Sequence, residues 1–288
     1  MLTCLYQLNA QQWQDLLALR TQCQLKDNGA PKLYTQALRT KRRLPAILLH
    51  YHQHTLTGFL SMHFFAENSC EISLMIAPIA RQQGLARALL RASLPLLRHQ
   101  KIDELIFSSA LSFATHPLAR HFKAQTQDFV MQKKLTPAVP PLIPKLVIRQ
   151  AQAQDIQALC AIDHACFAET LAMDRRFKTL LADKNYLLFI TEVQQKPMGK
   201  VHLYLEHDNL VTLSDMAILP GYQHQGFGEA LLLHSLHQAY SRGFKYCDLE
   251  VASHNHAALA LYKKAGFDVM HAFAYHTISL EDLSDLVN

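Results

Sequence analysis

The sequence predicts an α/β chain of two tandem domains, and three observations carry that expectation. First, Leu210 to Leu233 reads as an apolar strand ending before Pro220, a short loop Gln223-His224-Gln225-Gly226-Phe227-Gly228, and the start of a leucine-rich helix. A strand, a glycine loop and a helix start aim several backbone N–H groups at one spot, at the positive end of a helix dipole, where phosphate is stabilised. Second, the landmarks of this stretch recur earlier in the chain. Pro78 and Pro220, Gly84 and Gly226, and Leu89-Leu90 and Leu231-Leu232 are each 142 residues apart, and Gly58 and Gly199 are 141 apart. Ordered landmarks at a nearly fixed offset indicate an internal repeat of domain size. Third, Thr136-Pro137-Ala138-Val139-Pro140-Pro141-Leu142-Ile143-Pro144 is too rich in proline for helix or central strand and reads as a semi-rigid linker. It divides the 288 residues into a domain over 1–135, a linker over 136–145 and a domain over 146–288.

In the first half, Ala10 to Gln24 has helical spacing, with Trp13, Leu16, Leu17 and Leu19 on one side, and Asn28-Gly29-Ala30-Pro31 breaks the chain. A second helix is expected over Lys32 to Arg39. Strands are expected over Leu44 to His54, Thr57 to Phe65 (with Gly58 at the turn) and Cys70 to Ala77. Arg81-Gln82-Gln83-Gly84-Leu85-Ala86 leads into a helix that Pro95 should kink or shorten, and Leu105 to Ser109 is a short strand. The second half repeats this order. Leu146 to Arg149 is a strand, Gln154 to Ala165 and Met173 to Ala182 are helices, and Tyr186 to Glu192 and Lys200 to Leu205 are strands joined by a turn at Lys196-Pro197-Met198-Gly199. After the 210–233 stretch come a strand Tyr246 to Val251, a helix His256 to Ala265 that Gly266 stops, and strands Phe267 to His271 and Ala274 to Leu280.

Composition narrows the function classes. Half the residues are apolar and 18% are charged, a globular balance without bulk disorder. The net charge of +5 is mildly basic, and Lys41-Arg42-Arg43 is the one dense basic cluster, which argues against nucleic acid as the main partner. The cysteines Cys4, Cys23, Cys70, Cys160, Cys166 and Cys247 form no C-x-x-C pair and no zinc spacing with histidines, so they read as reduced thiols. His254-Asn255-His256 has no third ligand near it, and no metal is expected. No apolar run reaches the length of a membrane span and the start lacks a signal-peptide pattern, so the expected compartment is the cytoplasm.

The loop Gln223 to Gly228 fits the pattern Gln/Arg-x-x-Gly-x-Gly/Ala. Downstream, Leu249-Glu250-Val251, Asn255, Ala257-Ala258, Leu261-Tyr262 and Gly266-Phe267 form an ordered block. On these residues the chain resembles the GCN5-related N-acetyltransferase (GNAT) family, as a tandem two-domain member, and its second half is similar to RimI-type protein N-terminal acetyltransferases. In the first half the likeness rests on Arg81 to Ala86 and the order of elements. The resemblance implies two domains, each a mixed, mostly antiparallel sheet flanked by helices. It also implies acetyl-CoA as co-substrate and a primary amine, on a small molecule or a protein, as acceptor. The amides of Gln225, Gly226 and Gly228 would hold the pyrophosphate, with Gln223, His224, Phe227 and Glu229 around them. The backbone of Met216, Ala217 and Ile218 would pair with the pantetheine amides. Asn255 matches an asparagine that bonds the cofactor, a role compatible with capping the helix that follows. Arg81, Gln82, Gln83, Gly84, Leu85 and Ala86 form a possible second cofactor loop.

Acetyl transfer to an amine needs a base, because an ammonium cannot attack, and a proton donor for the departing thiolate. The RimI resemblance assigns Glu250 as base and Tyr262 as acid. The competing readings are a solvent-facing strand carboxylate and a packed tyrosine. Asp215, on the cofactor strand, is a second candidate base. The first half has no L-E-V, no asparagine at the matching place, and Phe122 where the tyrosine would fall, so it reads as a degenerate, non-catalytic domain. The alternative function is a CoA-binding module without turnover.

Overall fold

The computed structural model describes residues 2–64, 68–115, 117–137, 143–167, 173–206 and 209–288. In chain order, the first half holds β1 (Leu2–Leu5), α1 (Ala10–Asp27), α2 (Thr35–Arg39), β2 (Ile47–His52), β3 (Thr55–Phe64), β4 (Ser69–Ile76), α3 (Leu85–His99), β5 (Glu104–Ala110) and β6 (Lys123–Lys134). The second holds β7 (Leu146–Gln150), α4 (Ile156–Phe167), α5 (Met173–Ala182), β8 (Tyr186–Val193), β9 (Lys196–Leu205), β10 (Leu210–Ile218), α6 (Phe227–Ser241), β11 (Tyr246–Ala252), α7 (His256–Lys264), β12 (Asp268–Ser279) and α8 (Leu280–Val287).

These elements form two compact units that differ from the linear division at the linker. Unit 1 is Met1–Asp128 with His271–Asn288, and unit 2 is Phe129–Met270. Each unit thus takes a strand from the other half of the chain. The strand order is β1-β2-β3-β4-β5-β12 in unit 1 and β6-β11-β10-β9-β8-β7 in unit 2. β4 with β5 and β10 with β11 are parallel, and β1–β2, β2–β3, β3–β4, β5–β12, β7–β8, β8–β9 and β9–β10 are antiparallel, so each unit is a mixed, mostly antiparallel sheet. Within the expected linker, 138–142 lie outside the described residues.

Strand alternation puts apolar side chains on both faces of each sheet, and helices cover both. In unit 2, Leu187, Phe189, Val201 and Leu203 pack with Leu231, Leu232 and Leu236 of α6, and Leu188 and Ile190 pack with Leu159 and Phe177 of α4 and α5. Unit 1 repeats this, with α3 over Leu48, Leu60 and Ile72 and α1 over Ile47, Leu49 and Phe59.

Several expectations are corrected. The hairpin turns are Gln53–His54 and Gln194–Gln195, all at positive φ, which matches the twist of a two-residue hairpin. Gly58 and Gly199 lie inside β3 and β9 instead. A Cβ on Gly199 would come within 2.4 Å of Ile218 Cδ1 and 2.8 Å of the Ala217 carbonyl, so close strand packing is what requires glycine there. Helix α3 runs through Pro95, which lies on the exposed side where the Arg91 carbonyl can be solvated. Asp268 to Ser279 is one continuous strand, and helix α8 follows it. Ser279 caps α8 by accepting from the Asp282 N–H at 3.0 Å.

Candidate active site

The two glycine loops have the same internal bracing. Arg81 Nε donates to the Ile76 carbonyl and Gln223 Nε2 to the Ile218 carbonyl, each five residues back. Gln83 Nε2 donates to the Ile79 carbonyl and Gln225 Nε2 to the Gly221 carbonyl, each four back. Gln82 and His224 have φ of 60° and 62°, and Gly84 and Gly226 have φ of 77° and 83°. This left-handed alternation turns successive amides toward one side. Gly84 and Gly226 are the N-cap residues of α3 and α6, and no side chain caps either helix. In unit 2 the loop therefore ends in a helix N-terminus whose first amides suit an anion such as pyrophosphate. Phe227 is buried beneath the loop, His224 and Gln225 are exposed, and Glu229 is ion-paired with Lys264 at 2.7 Å. In unit 1 the Arg81 guanidinium is held by both oxygens of Asp27 at 2.7 and 2.6 Å.

Strand β10 carries the second feature. In β10 the pairing with β9 shifts between Ser214 and Ala217, and Asp215 takes φ of 49° at this bulge. Strand β4 pairs with β3 without such a shift. Gly58 pairs with Ile76 and Gly199 with Ile218, so one extra residue in β10 accounts for the change of repeat offset from 141 to 142. The parallel register of β10 with β11 ends at Leu213 opposite Leu249. Beyond that rung β10 and β11 are no longer paired, and Met216, Ala217 and Ile218 lie past the paired segment.

Glu250 is the first residue of β11 past the last rung and is exposed. Asn255 caps α7, its Oδ1 accepting from the Ala258 N–H at 3.1 Å. Tyr262 on α7 is 7% exposed and packs against Phe267. Burial and the nearby Cys247 push its phenol up to about 12. The Cβ position of Gly228 lies 3.7 Å from both Met216 Cε and Leu261 Cδ2 and 3.9 Å from Ile218 Cγ1. The start of α6, β10 and α7 therefore meet at one place.

Asp215, the second candidate base, belongs to a polar network on the α4–α5 side whose other members the sequence expectations did not include. Lys200 Nζ lies 2.6 Å from Asp163 Oδ1, 3.3 Å from His202 Nε2 and 3.2 Å from the Asp215 carbonyl. His202 Nδ1 and an Arg176 guanidinium nitrogen each lie 3.0 Å from Asp215 Oδ2. Burial alone would raise the pKa of Asp215, but the His202 hydrogen bond and the charges of Lys200 and Arg176 hold its carboxyl well below the usual range. Burial likewise pushes His202 down, toward the neutral ring. A carboxylate stabilised in this way is a weak base. The available signal was Lys200 and His202 alternating with Val201 and Leu203 in a strand apolar on both faces.

Unit 1 handles the equivalent strand ends differently. Its parallel rungs end at Ile72 opposite Phe107, and the next residues are Ser73 and Ser108. The Lys32 N–H donates to Ser108 Oγ at 3.1 Å, and Ser73 Oγ donates to the Lys32 carbonyl at 2.5 Å. The backbone of residue 32 thus bridges the two strands, with Ala30 and Pro31 buried beside it. Ser108 stands at the rung position of Glu250. Two 3-10 turns, Leu111–Thr115 and Pro117–His121, occupy the place of α7, and Phe122 packs edge-on to Phe107. The unit 2 connection between α4 and α5, 168–172 with Glu169, lies outside the described residues.

Among the described residues, no group of three or more His, Cys, Asp or Glu is placed to hold a metal ion, and no helix is long and apolar enough to cross a membrane.

A family model described as "Acetyltransferase (GNAT) family" matches residues 10–122 and 155–267. The chain is 46% identical over 57 residues to the [ribosomal protein bS18]-alanine N-acetyltransferase of Escherichia coli K12, covering 20% of this chain and 38% of that protein. It therefore spans well under half the length of that relative. A putative [ribosomal protein bS18]-alanine N-acetyltransferase of Bacillus subtilis is 25% identical over 122 residues, covering 42% of this chain and 80% of that protein. In fold, a GCN5-related N-acetyltransferase from Sphaerobacter thermophilus superposes with a TM-score of 0.76 at 16% identity, over 92% of each chain. A tandem GNAT protein from the clavulanic acid biosynthesis pathway gives 0.69 at 14% identity, over 97% of this chain and 98% of that one.

Proposed function

Because the chain belongs to the Acetyltransferase (GNAT) family, we propose that it moves the acetyl group of acetyl-CoA to a primary amine, with the chemistry in unit 2 and none in unit 1. The observation that carries this reading is the contrast between the ends of the two parallel pairings. In unit 2 the end of the β10–β11 pairing holds Glu250 next to the rung where the β10 bulge begins. In unit 1 the equivalent end holds Ser73 and Ser108, bridged by the backbone of Lys32.

The residues of unit 2 fit each task. The amides of Gln225, Gly226 and Gly228 hold the pyrophosphate, and the edge of Met216 to Ile218 pairs with the pantetheine amides. Glu250 takes the proton that a substrate ammonium must lose, directly or through water. Asp215 is set aside as the base because its carboxylate is held by His202 and Arg176. A strand amide at the bulge stabilises the carbonyl oxygen as charge develops on it. Tyr262, still protonated at neutral pH, supplies the proton to the thiolate.

The E. coli and B. subtilis relatives are named for an alanine of ribosomal protein bS18. A peptide with an N-terminal alanine is therefore the first acceptor to test, followed by small amines. The assay is release of free CoA from acetyl-CoA over a panel of both. Turnover on at least one acceptor is expected. Tight acetyl-CoA binding with no release from any acceptor would contradict the enzyme reading. For the acid, Tyr262→Phe should lower kcat about 100-fold with CoA affinity unchanged, and unchanged turnover would remove Tyr262 from the mechanism.

A further inference from the structure

The mechanism above leaves unused the best-buried charges of unit 2. The Lys200 and Asp163 side chains are 0% and 1% exposed and 2.6 Å apart. Neither Asp163 oxygen receives a well-angled hydrogen bond, so the pair is Coulombic and the ammonium keeps donors for other acceptors. One of them goes to the Asp215 carbonyl at 3.2 Å. Packing alone does not require a charge at this position. In the register of unit 1, Phe59 stands where Lys200 stands in unit 2 and Ser61 where His202 stands, and Phe59 is fully buried. The unit with Phe59 has a regular β4, and the unit with Lys200 has a bulge at Asp215.

The peptide joining Asp215 to Met216 is trans, so its N–H points opposite to its carbonyl. With the carbonyl drawn toward the Lys200 ammonium, which lies against Asp163 of α4 and the Phe177 ring of α5, the Met216 N–H is directed away from that side of the strand. We propose that Lys200, neutralised by Asp163, is a positioning residue: by holding the Asp215 carbonyl it fixes the bulge peptide so that the Met216 N–H meets the thioester carbonyl. His202 and Arg176 hold the carboxylate of the same residue, so both ends of Asp215 are anchored from the α4–α5 side. The inference rests on the reading of unit 2 as the acetyl-CoA unit.

The test uses the full chain and two CoA thioethers of equal length, S-acetonyl-CoA, which carries a carbonyl, and S-propyl-CoA, which does not. Titration calorimetry of the unaltered protein should show the acetonyl compound binding about threefold to tenfold tighter, the range of one hydrogen bond. The double variant Asp163→Leu/Lys200→Met removes both charges together. It should bind the propyl compound within about twofold of the unaltered protein and lose the preference for the carbonyl. A preserved preference overturns the proposal, whereas a purely structural role would weaken both ligands equally. Should the double variant not fold by near-UV circular dichroism, Lys200→Met alone, which removes the hold on the Asp215 carbonyl, is read by the same criterion. On the unaltered protein, the Met216 amide resonance should shift with the acetonyl and not the propyl compound, and equal shifts also overturn it. Failure of the unaltered protein to bind either compound would instead remove the acetyl-CoA reading itself.

Discussion

Tyr262 and Gly226 show how single residues fix what the site can do. A phenol pushed up to about 12 keeps its proton throughout the neutral and mildly alkaline range and loses it only as pH rises through that value. The pH profile of kcat should accordingly show no alkaline fall from Tyr262 between pH 7 and 10. An alkaline limb near 9 that disappears in Tyr262→Phe would contradict this. Gly226 sits at φ of 83°, where a side chain costs about 1 kcal/mol or more. Gly226→Ala should lower both the denaturant midpoint and the affinity for CoA. Gly199→Ala should cost about 1–3 kcal/mol through its clash with Ile218 and Ala217. In this case the change of register next to the bulge should also weaken CoA binding.

At the scale of elements, the strand–loop–helix of unit 2 was legible because glycine, proline and leucine spacing report backbone geometry directly. Its echo at Arg81 to Ala86 was legible for the same reason, and the structure gives both loops one bracing scheme. Even the one-residue drift between the Gly58/Gly199 and Pro78/Pro220 offsets had a physical meaning, the extra residue of the β10 bulge. What the sequence hid depends on contacts distant along the chain. Lys200 gives no local hint that it meets Asp163 and the Asp215 carbonyl. Nor do Ser73 and Ser108 announce that the backbone of Lys32 lies between them. The Gln194–Gln195 turn uses residues that rarely mark positive φ, which is why the expected turn fell two residues late at Lys196. Because the unit 1 strand ends are bridged, installing a carboxylate there by Ser108→Glu should yield no second active centre. In a Glu250→Gln background, any turnover restored by Ser108→Glu would contradict that.

For the whole molecule, the repeat in sequence and the compact units in space are drawn along different lines. Unit 1 is completed by β12 and α8 from the C-terminal end, where Ile278, Leu283 and Val287 are buried with Leu89 and Leu97. Unit 2 is completed by the end of β6, where Met131 and Leu135 join its core and the Leu135 N–H donates to the Lys245 carbonyl. A linear reading with the proline-rich stretch as boundary could not show this, because strand membership is decided by pairing rather than by order. Leu283→Ala should therefore destabilise unit 1 by about 2–5 kcal/mol in denaturant unfolding while leaving CoA binding by unit 2 unchanged. Chains cut within 138–142 should yield halves that each lack a strand of their own unit. Two independently folded halves by circular dichroism would contradict the assignment of strands.

The claim that chemistry belongs to the end of the β10–β11 pairing in unit 2 is tested most directly by Glu250→Gln in the full chain, with turnover on the best acceptor measured beside acetyl-CoA affinity. A fall in kcat of about 100-fold or more, with affinity changed less than about twofold, is expected. Turnover equal to that of the unaltered protein would place the base, and with it the active centre, elsewhere.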